Sequence, residues 1–296
     1  MNSELERILK YLPERIRQRI YDYCSSLPRL GTGVSEIRLR ANAPASLTID
    51  DKNICIFNGK NLYADENEIV STLGKLCEDS IHTYAETIKE GYVYLSGGYR
   101  IGICGYARSE KDKVAGIHTV SSLCIRIPHA ITGICDSLLQ EIVQEGDVIS
   151  MLVYSPPGVG KTTLLRDVAY RLSTGNGARR VCIIDTRGEI YINEMFVEAL
   201  ADVMTGYPKA KGMEIAARTL SPQVMICDEI GTDEEADAIL SVQNCGVPLI
   251  ASAHAGSFEE LMRRPNINKL VQARIFKKIV GIKRVGGKFD FDIKEI

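Results

Sequence analysis

The chain has 296 residues, 45% of them hydrophobic and 25% charged, with a formal net charge of -2. This exceeds the about 100 to 200 residues of an ordinary domain and implies two of them, and the composition excludes a disordered or low-complexity chain. The charge balance gives no global attraction to nucleic acid or anionic lipid.

The nine cysteines lack the close spacing of a zinc site. Most lie inside apolar runs such as VCIID and MICDE, which reads as reduced thiols of a cytosolic protein. No run approaches the roughly 18 consecutive apolar residues that span a bilayer, so any membrane role is expected to come through a partner.

In chain order, Ser3 to Leu27 reads as helix, with Ser3 and Glu6 as a capping box and Pro13 dividing it in two. EIRLRA (36 to 41), ASLTID (45 to 50) and ICIFNG (54 to 59) read as short strands, and DENEIVSTLGKLCEDSI as a helix opening on an Asp65 and Glu68 cap. GYVYLSGGYRIGICGYARSE places Gly97 and Gly98 between two strand-like runs, a hairpin signal, and SSLCIRI (121 to 127) adds another strand. Residues 1 to 130 are therefore expected to form a smaller α+β domain, with PHAIT marking a boundary near 128 to 132. From 131 to 296 the rhythm is apolar strand, turn, helix: VISMLVY, VCIID, QVMICDE and VPLIASAH are continuous apolar runs, as strands of a mostly parallel α/β sheet buried on both faces would be. The closing IFKKIVGIKRVGGKFDFDIKEI reads as a hairpin turning at Gly286 and Gly287, with no evident chemistry.

SPPGVGKTT, residues 155 to 163, follows the first of these strands and opens a helix, the context that a P-loop requires. Gly158 and Gly160 let the backbone of Ser155, Pro156, Pro157 and Val159 wrap so that N–H groups face phosphate. Lys161 is placed to reach the β and γ oxygens, Thr162 to put its hydroxyl on Mg2+, and Thr163 to continue the helix whose positive end favours the anion. The motif asks for glycine at position 155, where this chain has serine; a small residue can leave the strand tightly. QVMICDE then ends a buried strand in two carboxylates. Asp228 is the candidate for the Mg2+ shell and Glu229 for polarising the attacking water. VCIID ends in Asp185, with Glu189 four residues on, and LIASAH ends in His254, so four strands all finish in reactive polar groups.

In order and strand placement, SPPGVGKTT, IIDTRGEI, VMICDEIG and ASAHAGS resemble the Walker A loop, aspartate box, Walker B strand and histidine box of the secretion ATPases that power type II, type IV and type IV pilus machines. EIRLR, GGYRIGICGYA and SSLCIRI are similar to that family's N-terminal domain. PKAKG, RTLSPQVMICDEIG and AHAGS resemble its branch acting in endospore formation. The resemblance implies a RecA-like P-loop ATPase domain behind the α+β domain. It also implies ATP and Mg2+ as ligands, and a cytoplasmic homohexameric ring docked on integral membrane proteins of a sporulation or secretion-like complex. It assigns Asp185 and Glu189 to assisting the water and His254 to sensing the γ-phosphate. Arg100 and Arg126 would reach the phosphates from the N-terminal domain, and Arg218 across a subunit interface. The tetracysteine zinc motif and the extra N-terminal domain of type II members are missing, so docking is expected to use a reduced surface such as the helices before Pro28.

Three other readings stand beside this motor. A nucleic-acid ATPase has PKAKG (208 to 212) as its support, against an absence of Trp and 6% aromatic residues. A small-molecule kinase would need an Arg-rich lid, which is not visible. A nucleotide-dependent scaffold would bind ATP and barely turn over.

Overall fold

The computed structural model describes residues 3–26, 33–50, 52–55, 61–78, 80–95, 97–110, 113–193, 195–243, 245–286 and 288–296. The chain divides into two compact units, Met1–His129 and Ala130–Ile296.

In the first unit, helices α1 (Ser3–Leu9) and α2 (Glu14–Ser25) are separated at Pro13, whose fixed φ starts α2 and whose missing N–H a helix interior would not tolerate. Strands β1 (Val34–Arg40), β2 (Ala43–Ile49) and β3 (Lys52–Cys55) follow. Helix α3 (Glu66–Leu76) has both halves of the Asp65 and Glu68 capping box. After α4 (Ala85–Lys89) come β4 (Tyr92–Leu95), β5 (Tyr99–Glu110) and β6 (Lys113–Arg126). Among the described residues the sheet runs β3-β2-β1-β6-β5-β4, with the paired strands antiparallel. Ile8, Ile16 and Ile20 of the two opening helices pack with Ile37, Leu47, Ile101 and Ile125 of the sheet in one core, and the buried Tyr99 hydroxyl donates to the Glu4 carbonyl at 2.7 Å. The strand expected at 121 to 127 is the end of a much longer β6. Its first half pairs with β5 alone in an exposed two-stranded arm, with register shifts at three places. The Ser3 side chain of the expected cap, residues 56 to 59 of the third strand, Pro28 and Gly287 lie outside what is described.

The second unit opens with α5 (Asp136–Ile142) and a two-stranded ladder, β7 (Val143–Gln144) with β8 (Asp147–Val148). There follow β9 (Met151–Ser155), α6 (Lys161–Ser173), β10 (Val181–Asp185), β11 (Ala201–Thr205), α7 (Lys209–Thr219), β12 (Val224–Glu229) and α8 (Asp233–Gln243). Strand β13 (Leu249–His254), helices α9 (Phe258–Met262) and α10 (Pro265–Gln272), and strands β14 (Lys278–Val285) and β15 (Lys288–Glu295) complete it. Among the described residues the sheet order is β11-β10-β12-β13-β9-β14-β15, with only the β14–β15 pair antiparallel.

Successive side chains of a strand point to opposite faces, and here both faces are covered. Val153, Ile183 and Ile226 meet Leu164, Leu165 and Val168 of α6 on one side. Tyr154, Ile184 and Cys227 meet Met213, Ile239 and Leu270 of the other helices on the opposite side. Double burial is why these strands read as unbroken apolar runs. β11, an edge strand exposed at three of its five positions, gave no such run and went unread. Among the described residues no helix is long and apolar enough to cross a membrane.

Candidate nucleotide site

Parallel strands deliver their C-terminal ends to one edge of the sheet, and that edge holds a cleft of about 330 Å3. Gly158 and Gly160 between β9 and α6 have φ of +77° and +119°, which other residues adopt only under strain. A Cβ on Gly158 would point into empty space, whereas one on Gly160 would lie 2.8 Å from the Phe289 ring of β15. The N-cap Gly160 makes no side-chain hydrogen bond to the start of α6, and the first backbone N–H groups of a helix so opened suit a phosphate.

Lys161 is 7% exposed and folds back on the loop. Its ammonium donates to the Ser155 carbonyl at 2.8 Å, the Pro156 carbonyl at 3.1 Å and the Ser155 hydroxyl at 3.3 Å, and Nζ lies 2.8 Å from His254 Nδ1. An ammonium has no acceptor, so Nδ1 accepts and Nε2 of the same ring carries the proton, donating to Glu229 Oε2 at 3.0 Å. Glu229, His254 and Lys161 thus form one chain of contacts. Burial holds the Lys161 pKa below the ordinary lysine value, and the Glu229 charge opposes that shift.

Asp228 and Glu229 are adjacent in β12, and a regular strand would send them to opposite faces. A register irregularity between Cys227 and Glu229 in the ladder with β13 breaks that alternation, and both carboxylates line the cleft. Asp228 forms an ion pair with Lys209, Oδ1 to Nζ 2.9 Å; Lys209 also lies 3.2 Å from Glu235 Oε1 and donates to the Glu229 carbonyl. Burial pulls the Lys209 pKa down, but Cys227, Asp228 and Glu235 beside it outweigh that and leave it raised. Glu235 in turn accepts from the Gly231 and Thr232 amides at 2.7 and 3.2 Å, fixing the turn after β12.

The expected residues Pro157, Gly158, Gly160, Lys161, Thr162 and Thr163 share the cleft lining with Glu189, Asp228, Glu229 and His254. Ser155, Pro156 and Val159 are not part of that lining: the Ser155 and Pro156 carbonyls receive Lys161 and Val159 packs on the core. Asp185 needs correction: a catalytic carboxylate must face the reactants, and this one is 0% exposed and does not reach the cleft. Its oxygens accept the amides of Glu189, Ile190 and Tyr191, each at 2.9 Å. Burial raises its pKa, those amides opposing the shift. From the other side the buried Arg166 of α6 donates to the carbonyls of Glu189 and Ile190. Asp185 and Arg166 therefore shape the loop that carries Arg187 and Glu189 to the cleft. Replacing Asp185 by alanine strands the buried Ile190 amide, at about 1 to 3 kcal/mol, and the part-buried amides of Glu189 and Tyr191 at less. We expect denaturant unfolding to show a loss of roughly 2 to 5 kcal/mol, with asparagine intermediate because its amide keeps a single acceptor oxygen.

Arg218 is exposed in the last turn of α7, at the end remote from Lys209, and does not join this cluster. In the first unit, Arg100 of β5 and Arg126 of β6 are directly opposed across the ladder, and Glu36 of β1 is the next partner of Arg126. The Arg100 guanidinium lies 5.7 and 5.6 Å from the ring centroids of Tyr92 and Tyr94. Sequence reasoning missed Lys209, Arg166 and Arg187. Lys209 did leave a trace: a lysine in a first helical turn opposes the helix dipole, a misfit that signals a nearby anion. A larger concavity, about 620 Å3, sits among Arg179, Arg274 and Lys277 and contains none of the expected site residues.

The fold has counterparts among solved structures. The Legionella pneumophila ATPase DotB superposes with a TM-score of 0.64 at 15% identity, covering 95% of this chain and 80% of its own. The pilus retraction motor PilT, solved with bound ADP, gives 0.58 at 16% identity over 95% and 81%. These likenesses establish the fold, a RecA-like unit preceded by an α+β unit. Sequence takes the relationship further: the stage III sporulation protein AA of Bacillus subtilis (strain 168) is 33% identical over 298 residues, 96% of this chain and 92% of that protein. The profile of a single family matches residues 2–290, and by that near-complete match the chain belongs to the family described as Sporulation stage III, protein AA.

Proposed function

We propose that the protein is a Mg2+-dependent ATPase that works as a homohexameric ring in the cytoplasm and drives a membrane-associated, secretion-like complex during endospore formation. One observation carries the enzymatic part: a loop of phosphate-binding shape, Lys161, two carboxylates and a histidine converge on a single cleft. In this reading Lys161 exchanges its carbonyl and His254 contacts for the β and γ oxygens. Thr162 and Asp228 would hold the cation, which when bound neutralises phosphate charge. Glu229 takes a proton from the water that attacks the γ-phosphorus, and His254, donating to Glu229, fixes the direction of that carboxylate. ADP and inorganic phosphate leave. The membrane partners and the ring rest on the family likeness, with Arg100, Arg126 and Arg218 as candidates for contacts from the other unit or a neighbouring subunit.

Against the nucleic-acid reading, the first lysine of PKAKG, Lys209, is buried against Asp228 and Glu235, while Lys211 stays exposed beside Glu214. Light scattering after size exclusion, with and without ATP and Mg2+, run beside a hydrolysis assay, tests the proposal. A nucleotide-dependent hexamer with turnover is the expected result. Binding without turnover would make the protein a scaffold, and stimulation by DNA would restore the nucleic-acid reading.

A further inference from the structure

The C-terminal hairpin, which offered no chemistry as sequence, stands against the phosphate loop. Arg284 of β14 donates from Nε to the Val159 carbonyl at 3.0 Å, and its guanidinium carbon lies 4.9 Å from the centroid of the Phe289 ring. That ring abuts Gly160, is itself only half-buried, and is backed by Phe291, stacked at 6.4 Å. An aromatic ring and a guanidinium, held together at the rim of the loop, make a preorganised flat surface.

Strand order fixes which end of a nucleotide would meet it. Glu229 and His254 lie at the ends of β12 and β13, on one side of β9, while β14 and β15 lie on the other side. A triphosphate whose γ end faces Glu229 must therefore run its nucleoside end out toward the hairpin. We infer that Arg284 and Phe289 form the platform on which the nucleobase of the bound triphosphate stacks. This rests on the nucleotide reading above and adds where the base is held.

The test compares Mg2+-ATP with Mg2+-tripolyphosphate, which has the phosphates and no base, by titration calorimetry on the full chain. In Phe289→Ala, ATP affinity is expected to fall about ten- to a hundredfold with tripolyphosphate affinity unchanged, and Phe289→Tyr to retain ATP affinity. An equal loss for both ligands would make Phe289 a mere brace of the loop and overturn the inference. So would unchanged ATP binding, or equal affinity of the unaltered protein for the two ligands; each of these leaves the phosphate site standing. If the unaltered protein binds neither ligand, the nucleotide site itself falls and takes the platform with it.

Discussion

Lys161→Ala is expected to weaken ATP binding by about ten- to a hundredfold, since a charged hydrogen bond to phosphate contributes about 1.5 to 3 kcal/mol and each 1.4 kcal/mol is tenfold. The loop holds this ammonium with two carbonyls, a hydroxyl and His254, so the cation is an integral part of its shape. Burial lowers the Lys161 pKa, and a phosphate oxygen beside the ammonium would act against that shift, as any nearby anion does. Titration calorimetry reads the loss, and a melting temperature close to that of the unaltered protein separates a lost contact from a lost fold. Undiminished binding would remove the loop from the nucleotide site.

The second large effect belongs to Glu229. Glu229→Gln keeps size and can still accept from His254 Nε2, but an amide cannot take a proton from water. Turnover should drop about 10^2- to 10^4-fold, the range for a lost general base, with ATP affinity retained. Hydrolysis at an undiminished rate would move the base to Glu189, the other carboxylate carried to the cleft by its own loop. The variant also makes a prediction about pH. The Glu229 charge raises the Lys161 pKa, so its removal lets the ammonium lose its proton at lower pH. ATP binding by the variant should then fade at a lower alkaline pH than binding by the unaltered protein, measured as affinity against pH.

How much of this the sequence disclosed follows from where the information lay. MLVYS, VCIID, VMICDE and LIASAH were legible because burial on two faces forces every position to be apolar, and the carboxylates and histidine that end three of them stood out by contrast. The first half of β6 and the whole of β11 were illegible because neither is covered on both faces. Lys209 and Arg166 acquire their parts only when α7 and α6 pack beside loops distant in sequence. Asp185 was found and misassigned for a related reason. An acid at a strand end looks the same whether it faces substrate or is turned inward onto three amides, and only the path of the next six residues decides.

The pairing of β14 with β9 bears on how damaged copies of this protein would behave. Every residue of β9 is buried, and β14 seals one flank of it. A premature stop codon upstream of Lys278, or a protease cut that releases the hairpin, would leave that strand as an open apolar border, which invites pairing with another chain. Such copies are expected to appear as insoluble material for the cell's quality control rather than as soluble inactive enzyme.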